Sequence, residues 1–407
     1  MARLLVLGDP VVSLGAQTLI PDGGLVIEDA SVVAAGPREA MAALGPFDRV
    51  LGSPGHFVLP GFVNCHYHSE LAIGPGLYQH IFEKANVHIQ GATGPIAEDD
   101  LYHGILWGLV TAIRGGQTAT VDMYYGRPGL PDFGCGPALR AYADAGMRTA
   151  FGLVSRDQNI YAHERDDVFL SRLPAGLAEE VRRSPMGYAW PVDEVMASFE
   201  RLSGAWHGHG GRVAFGTDGI SFSDREDFFA ELRLAAYLQR LPREFGQGRL
   251  DSERLLRAAA ANGARALGME GKLGSLEPGK YADLLVVAKD RIFFPPGRYD
   301  AEPFLDVVLD RAEAGDIDTV MAHGQVLMEG GRVTVVDEAR VRDRFAEAVA
   351  ERVYRPSAEV RRWAELGTLV EPYLPGFYRP WYEAPIEPAY TYNPRTPPAA
   401  PGRPPPP

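Results

Sequence analysis

The chain is 407 residues long and 46% hydrophobic, enough to bury a full core and to build one large domain with an accessory one rather than a string of small modules. Its formal charge of -13, with no Lys/Arg cluster to offset it, argues against nucleic acid or an anionic membrane surface as a partner, because both attract basic patches. Only two cysteines occur, Cys65 and Cys135, which excludes a disulfide framework and makes the cytoplasm the expected compartment.

The start, MARLLVLGDPVVSLG, has too short an apolar run for a signal peptide, and no apolar stretch reaches the roughly 18 residues of a membrane span. Short β-rich runs follow one another in LLVLG, GGLVIED and SVVAAG, separated by Asp-Pro, Pro-Asp-Gly-Gly and Gly-Pro turns. They read as a small sheet. After Pro60-Gly61 comes a strand, Phe62-Val63, that ends in His66 and His68. Side chains two apart on a strand leave the same face, so the two imidazoles can meet at one spot, which suggests a metal. Two ligands do not hold a catalytic zinc alone, since such a site uses about three protein ligands and leaves one position for water.

Further along, acidic Glu98-Asp99-Asp100 suit a helix N-terminus, Leu101, Ile105, Leu109 and Ile113 recur every fourth residue, and Gly115-Gly116 stop the helix. A strand TATVDMYY, a helix ALRAYADAG and a strand RTAFGLV follow, which makes two successive βα units of parallel architecture. The rhythm then lapses after Arg156, apart from a helix in VDEVMASFERL. It returns at RVAFGTDG, a strand whose end carries Asp218, with helices in EDFFAELRLAAYLQRL and SERLLRAAAANGARALG. The runs YADLLVVAKD, DTVMAHGQVLMEG and GRVTVVD repeat the sheet pattern of the N-terminus, with Gly324-Gln325 and Gly330-Gly331 as tight connections. The last stretch, rich in proline and tyrosine, reads as an extended or disordered tail.

Three pieces in order, LPGFVNCHYH, AFGTDG and AANGARALGMEGKLGSLEPGKYADLLVV, resemble the amidohydrolase superfamily. The resemblance is to its cytosine, guanine and adenosylhomocysteine deaminase and atrazine or melamine hydrolase branch. It implies a metal-bearing (β/α)8 barrel with ligands at the carboxyl ends of the strands. By that resemblance His66 and His68 match the first two metal ligands, and Asp218 matches the aspartate that contacts both the metal and the attacking water. Neutral imidazoles suit Zn2+ or Fe2+. The loop after the histidines offers Gln79 and Phe82 as contacts to the ring of a heterocyclic small-molecule substrate. A homodimer is allowed.

Members of this branch also bring histidines from strands five and six and a proton-shuttling glutamate. Strands four to seven would have to lie between Val154 and Arg212, where only about 57 residues are available and a single βαβ unit takes about 30. The expected fold class is therefore α/β: an incomplete metal-hydrolase TIM-like barrel over 57–274, with a composite β-sandwich domain from 1–56 and 275–336. A helical segment spans 337–370 and the Pro-rich tail 371–407. His163 with Glu164, or His207 and His209, are the substitutes at hand for the lost ligands. The expected function is a metal-dependent hydrolase of carbon-nitrogen bonds other than peptide bonds. The alternative is a catalytically impaired member that keeps the fold and a partial metal site.

Overall fold

The N-terminal β-rich runs become strands β1 (Arg3–Gly8), β2 (Val11–Val12), β3 (Leu19–Ile20), β4 (Gly23–Glu28), β5 (Ser31–Pro37), β6 (Arg49–Gly52) and β7 (His56–Pro60). Their apolar residues alternate with or border Gly and Asp turns, so each strand can bury one face. The computed structural model describes residues 2–73, 96–127, 129–154, 164–184, 192–206, 226–239 and 251–374.

Four of these strands form a sheet of their own, in the order β5-β4-β1-β6. β2, β3 and β7 join β11 (Leu284–Ala288), β12 (Ile317–Ala322), β13 (Gln325–Glu329) and β14 (Arg332–Val333) in a second sheet, ordered β14-β13-β12-β11-β7-β2-β3. The seam between the two ends of the chain is the antiparallel pair β7–β11, in which Val58 faces Val286 and Pro60 faces Leu284. Leu4, Val6, Leu25 and Ile27 of the first sheet and Val58, Leu284, Val286 and Met321 of the second share one buried cluster. The single sheet read from the N-terminal runs is thus two. The N-terminal part of the second sheet reaches Pro60, beyond the expected limit at 56, because the apolar run FVLP needs β11 to satisfy its backbone.

One residue, Gly61, carries the chain from β7 into β8 (Phe62–Tyr67). β8 heads a parallel sheet of order β10-β9-β8, with β9 at Gln117–Tyr124 and β10 at Arg148–Leu153. The helices Glu98–Arg114 and Cys135–Ala145 connect these strands; Glu98, Asp99 and Asp100 lie at the positive end of the first, and Gly146 caps the second at φ 66°. Phe228 and Phe229, opening the helix Phe228–Gln239, enclose Phe62, one stacked at 4.9 Å and the other edge-on at 5.2 Å. The helix Ser252–Arg257 runs through a π turn at Ala258–Asn262 into Gly263–Ala266, where Gly263 lies so close to Val63 that a Cβ would meet it at 2.5 Å.

Between β10 and residue 206 the described residues form helices, Asp166–Arg172, Ala175–Arg183 and Val192–Trp206, and no strand. Phe169, Leu173, Ala178 and Val181 pack against Leu366 and Val370 of the C-terminal helix Ala358–Val370, giving a small core apart from the main one. The fold class agrees with the sequence reading: α/β, with three parallel barrel-type strands among the described residues and a β sandwich built from both ends. Both cysteines are free. No described helix is long and apolar enough to cross a membrane.

Candidate metal centre

β8 delivers His66 near its end and His68 one residue past it. Its register against β9 shifts between Asn64 and Tyr67, so the strand is not regular where simple alternation was expected. The rings nevertheless meet, with centroids 5.1 Å apart and planes at 81°.

His68 is buried, and its Nδ1 lies 2.6 Å from the carbonyl oxygen of Met123 on β9. A carbonyl only accepts, so Nδ1 carries the hydrogen and Nε2 keeps its lone pair, the tautomer in which metal-binding histidines are commonly held. Tyr125 stacks on the ring at 4.8 Å and fixes its plane. The backbone N–H of His66 donates to Asn64 Oδ1 at 3.1 Å, Asn64 Nδ2 donates to Gln117 Oε1 at 3.2 Å, and Gln117 Nε2 donates to Glu226 Oε2 at 2.7 Å. Burial pushes the Glu226 carboxyl up to about 7, against the lowering effect of its bond from Gln117.

Acidic groups gather behind His68. Asp122, fully buried, accepts from the Ser69 backbone N–H at 3.2 Å and from Tyr142 Oη at 3.1 Å; burial and the nearby charge of Glu70 hold its carboxyl above the usual range. Glu70 is buried too, and its Oε1 lies 3.9 Å from His68 Nδ1. Among the described residues, neither Glu70 oxygen has a hydrogen bond of normal geometry. Burial raises its pKa, while the charge of His68 when that ring is protonated, and the charge of Arg127, pull it back. Arg127, itself buried, donates to the Glu70 carbonyl oxygen, and its Nε and Nη1 meet no acceptor among the described residues.

Two imidazoles with one tautomer fixed suit a borderline divalent ion, so the residues present fit zinc or iron. Among the described residues no group of three or more His, Cys, Asp or Glu is arranged to hold a metal. Asp218, Gln79, Phe82, His163, His207 and His209 lie outside the described residues. The carboxylate of Glu164, considered with His163 as a substitute, accepts two hydrogen bonds from Arg172. Sequence reasoning missed Asn64, Glu70, Gln117, Asp122 and Glu226. The one signal available was an acidic residue, Asp122, inside the apolar strand TATVDMYY.

Residues 195–327 match the model of the Amidohydrolase family. A 5-methylthioadenosine/S-adenosylhomocysteine deaminase of Syntrophobacter fumaroxidans is 25% identical over 420 residues, covering 81% of this chain and 95% of the relative. An adenosine deaminase of Xanthomonas campestris, solved with bound zinc, superposes with a TM-score of 0.64 at 19% identity, over 90% of this chain and 99% of that one. Atrazine chlorohydrolase of Arthrobacter aurescens, complexed with zinc, gives a TM-score of 0.62 at 18% identity, over 85% of this chain and 100% of that one. At these identities the two structures speak for the fold.

Proposed function

We propose that the chain is a member of the amidohydrolase superfamily, and that it is a metal-dependent hydrolase of a non-peptide carbon-nitrogen bond in a heterocyclic small molecule. The observation that carries the metal part is the meeting of His66 and His68, with the His68 tautomer set by the Met123 carbonyl. These two residues, with Asp218 as the carboxylate, would hold zinc, or iron as the alternative. When bound, such an ion supplies Lewis acidity, which brings the pKa of water down to about 7. Asp218 is the proposed proton carrier, taking a proton from the attacking water and giving it to the departing amine. Gln79 and Phe82 are the proposed contacts to the substrate ring. The exocyclic amine of an adenine nucleoside is the substrate group that the deaminase relative's name favours. Its hydrolysis replaces the ring C–NH2 bond with C–OH and releases ammonia. The proposed domain division is 1–56 with 275–336 as one unit, to which β7 adds the residues up to Pro60, then the barrel segment to 274, a helical segment 337–370, and a tail over 371–407.

A second reading, an impaired member that keeps the fold and part of the site, is favoured by residues 164–184 and 192–206. They are helical where described and contain no histidine, so they bring no strand-borne ligand. One experiment separates the readings: zinc content of the purified chain, then ammonia release from 5-methylthioadenosine, S-adenosylhomocysteine and adenosine. Zinc with catalytic ammonia release supports the hydrolase. Zinc without ammonia from any of the three supports the impaired member, and no zinc uptake sinks the metal site itself.

A further inference from the structure

Glu226 lies in the part of the chain that resumes after the helix Val192–Trp206, yet three separate contacts hold its segment against the end of the helix Glu98–Arg114 and the first two barrel strands. Its carbonyl passes so close to Gly115 that a Cβ there would sit 1.7 Å from the oxygen. Two residues later Phe228 stacks on Phe62, and Phe229 meets the same ring edge-on. Its carboxylate, finally, accepts from Gln117.

The chain of hydrogen bonds that starts at this carboxylate has only one consistent direction. The His66 N–H at its far end can only donate, so Asn64 must turn its oxygen toward His66 and its amide nitrogen toward Gln117. Gln117 must then turn its own oxygen toward Asn64 and its nitrogen toward Glu226, where an acceptor completes the sequence. Both amides are buried, so a reversed amide would leave two donors facing each other with no water to relieve them. The His66 N–H at one end and the carboxylate acceptor at the other thus fix the orientation of both amides, and Asn64 grips the backbone of His66.

We propose that Glu226 is a positioning residue for His66, acting through Gln117 and Asn64 to hold the strand end on which the metal ligand sits. The inference rests on the metal reading given above. Loss of a group that orients a ligand costs about 10-fold to 100-fold in metal affinity. Glu226→Gln keeps an acceptor oxygen for Gln117, whereas Glu226→Leu removes it.

The test is zinc affinity by competition with a chromophoric chelator, together with the visible spectrum of the cobalt-substituted protein, for wild type, E226Q and E226L. E226L is expected to bind zinc about 10-fold to 100-fold more weakly with an altered cobalt spectrum. E226Q is expected to match wild type in both. Gln117→Leu breaks the chain one link further in, without touching Glu226, and should repeat the E226L result if E226L itself does not fold. Wild-type affinity and spectrum in E226L, or equal losses in E226L and E226Q, overturn the inference alone. A wild type that takes up no metal overturns the metal reading and this inference with it.

Discussion

The Nδ1–H of His68 donates to the carbonyl oxygen of Met123 at 2.6 Å, so a neighbouring strand decides which ring nitrogen of His68 is basic. Because that bond is made by backbone, it survives most substitutions around it. His66→Ala and His68→Ala should each lower zinc affinity by more than about 100-fold, beyond what loss of an orienting group costs. H68A should also lower stability by roughly 2 kcal/mol, since a buried, stacked ring is lost. Chelator competition and urea unfolding measure the two effects. Zinc affinity unchanged in both variants would count decisively against these ligands.

Stability should depend on pH through Glu226. Its folded-state pKa is raised from 4.5 to about 7, first by burial and then by the charge of Glu231, with the Gln117 bond opposing. A raised carboxyl stabilises fully below its unfolded pKa and loses that contribution as pH rises through the folded one. Such a shift corresponds to roughly 3 kcal/mol. E226Q does not titrate, so its stability relative to wild type should climb between about pH 4.5 and 7 and then level off. Urea midpoints of both proteins at pH 5 and pH 8 check this; an equal difference at the two values contradicts it.

Gly115 is a position where no side chain fits, because of the Glu226 carbonyl. Gly115→Ala should therefore destabilise by about 1–3 kcal/mol, the usual cost of overpacking. It should also displace the segment bearing Glu226, with a drop in zinc affinity in the same direction as E226L. A melting temperature equal to wild type would show that the close approach is relieved elsewhere.

Arg148, at the start of β10, makes a two-pronged pair with Asp283, just before β11, and Asp283 also accepts from the His323 backbone N–H at 2.8 Å. The carboxylate is 5% exposed, so Arg148→Met leaves it buried without its cation and should cost roughly 3–5 kcal/mol. Arg148→Lys should recover only part of that, since an ammonium cannot reproduce the planar fork. Thermal unfolding of the two variants measures it. A loss under about 1 kcal/mol in R148M would place this pair with ordinary surface ion pairs.

Much of the fold is legible in the sequence because it rests on local pattern. The apolar runs LLVLG, GGLVIED and YADLLVV carry their own strand signals, and Glu98-Asp99-Asp100 and Gly146 mark where helices begin and end. The H-x-H pair is visible for the same reason, though the register shift at Asn64 to Tyr67 shows that its geometry does not follow from strand periodicity alone. The hydrogen-bonded chain from His66 to Glu226 is not legible. It joins residues far apart in sequence through side-chain amides, and neither Asn nor Gln leaves a spacing that announces a partner. Burial of Glu70 and Arg127 is hidden likewise, because charged residues next to a motif read first as solvent-exposed.

The β7–β11 seam sets an order on synthesis. β7 leaves the ribosome early and β11 late, with the whole barrel segment between them, so the backbone groups of FVLP that β11 will cover wait unpaired while most of the protein is made. The four-stranded N-terminal sheet needs nothing downstream for its own pairing, whereas the apolar face it shares with β11 and β12 is covered only near the end of translation. A nascent chain stalled before Leu284 would carry an open strand edge next to a bare hydrophobic surface, the combination that invites capture by chaperones or self-association.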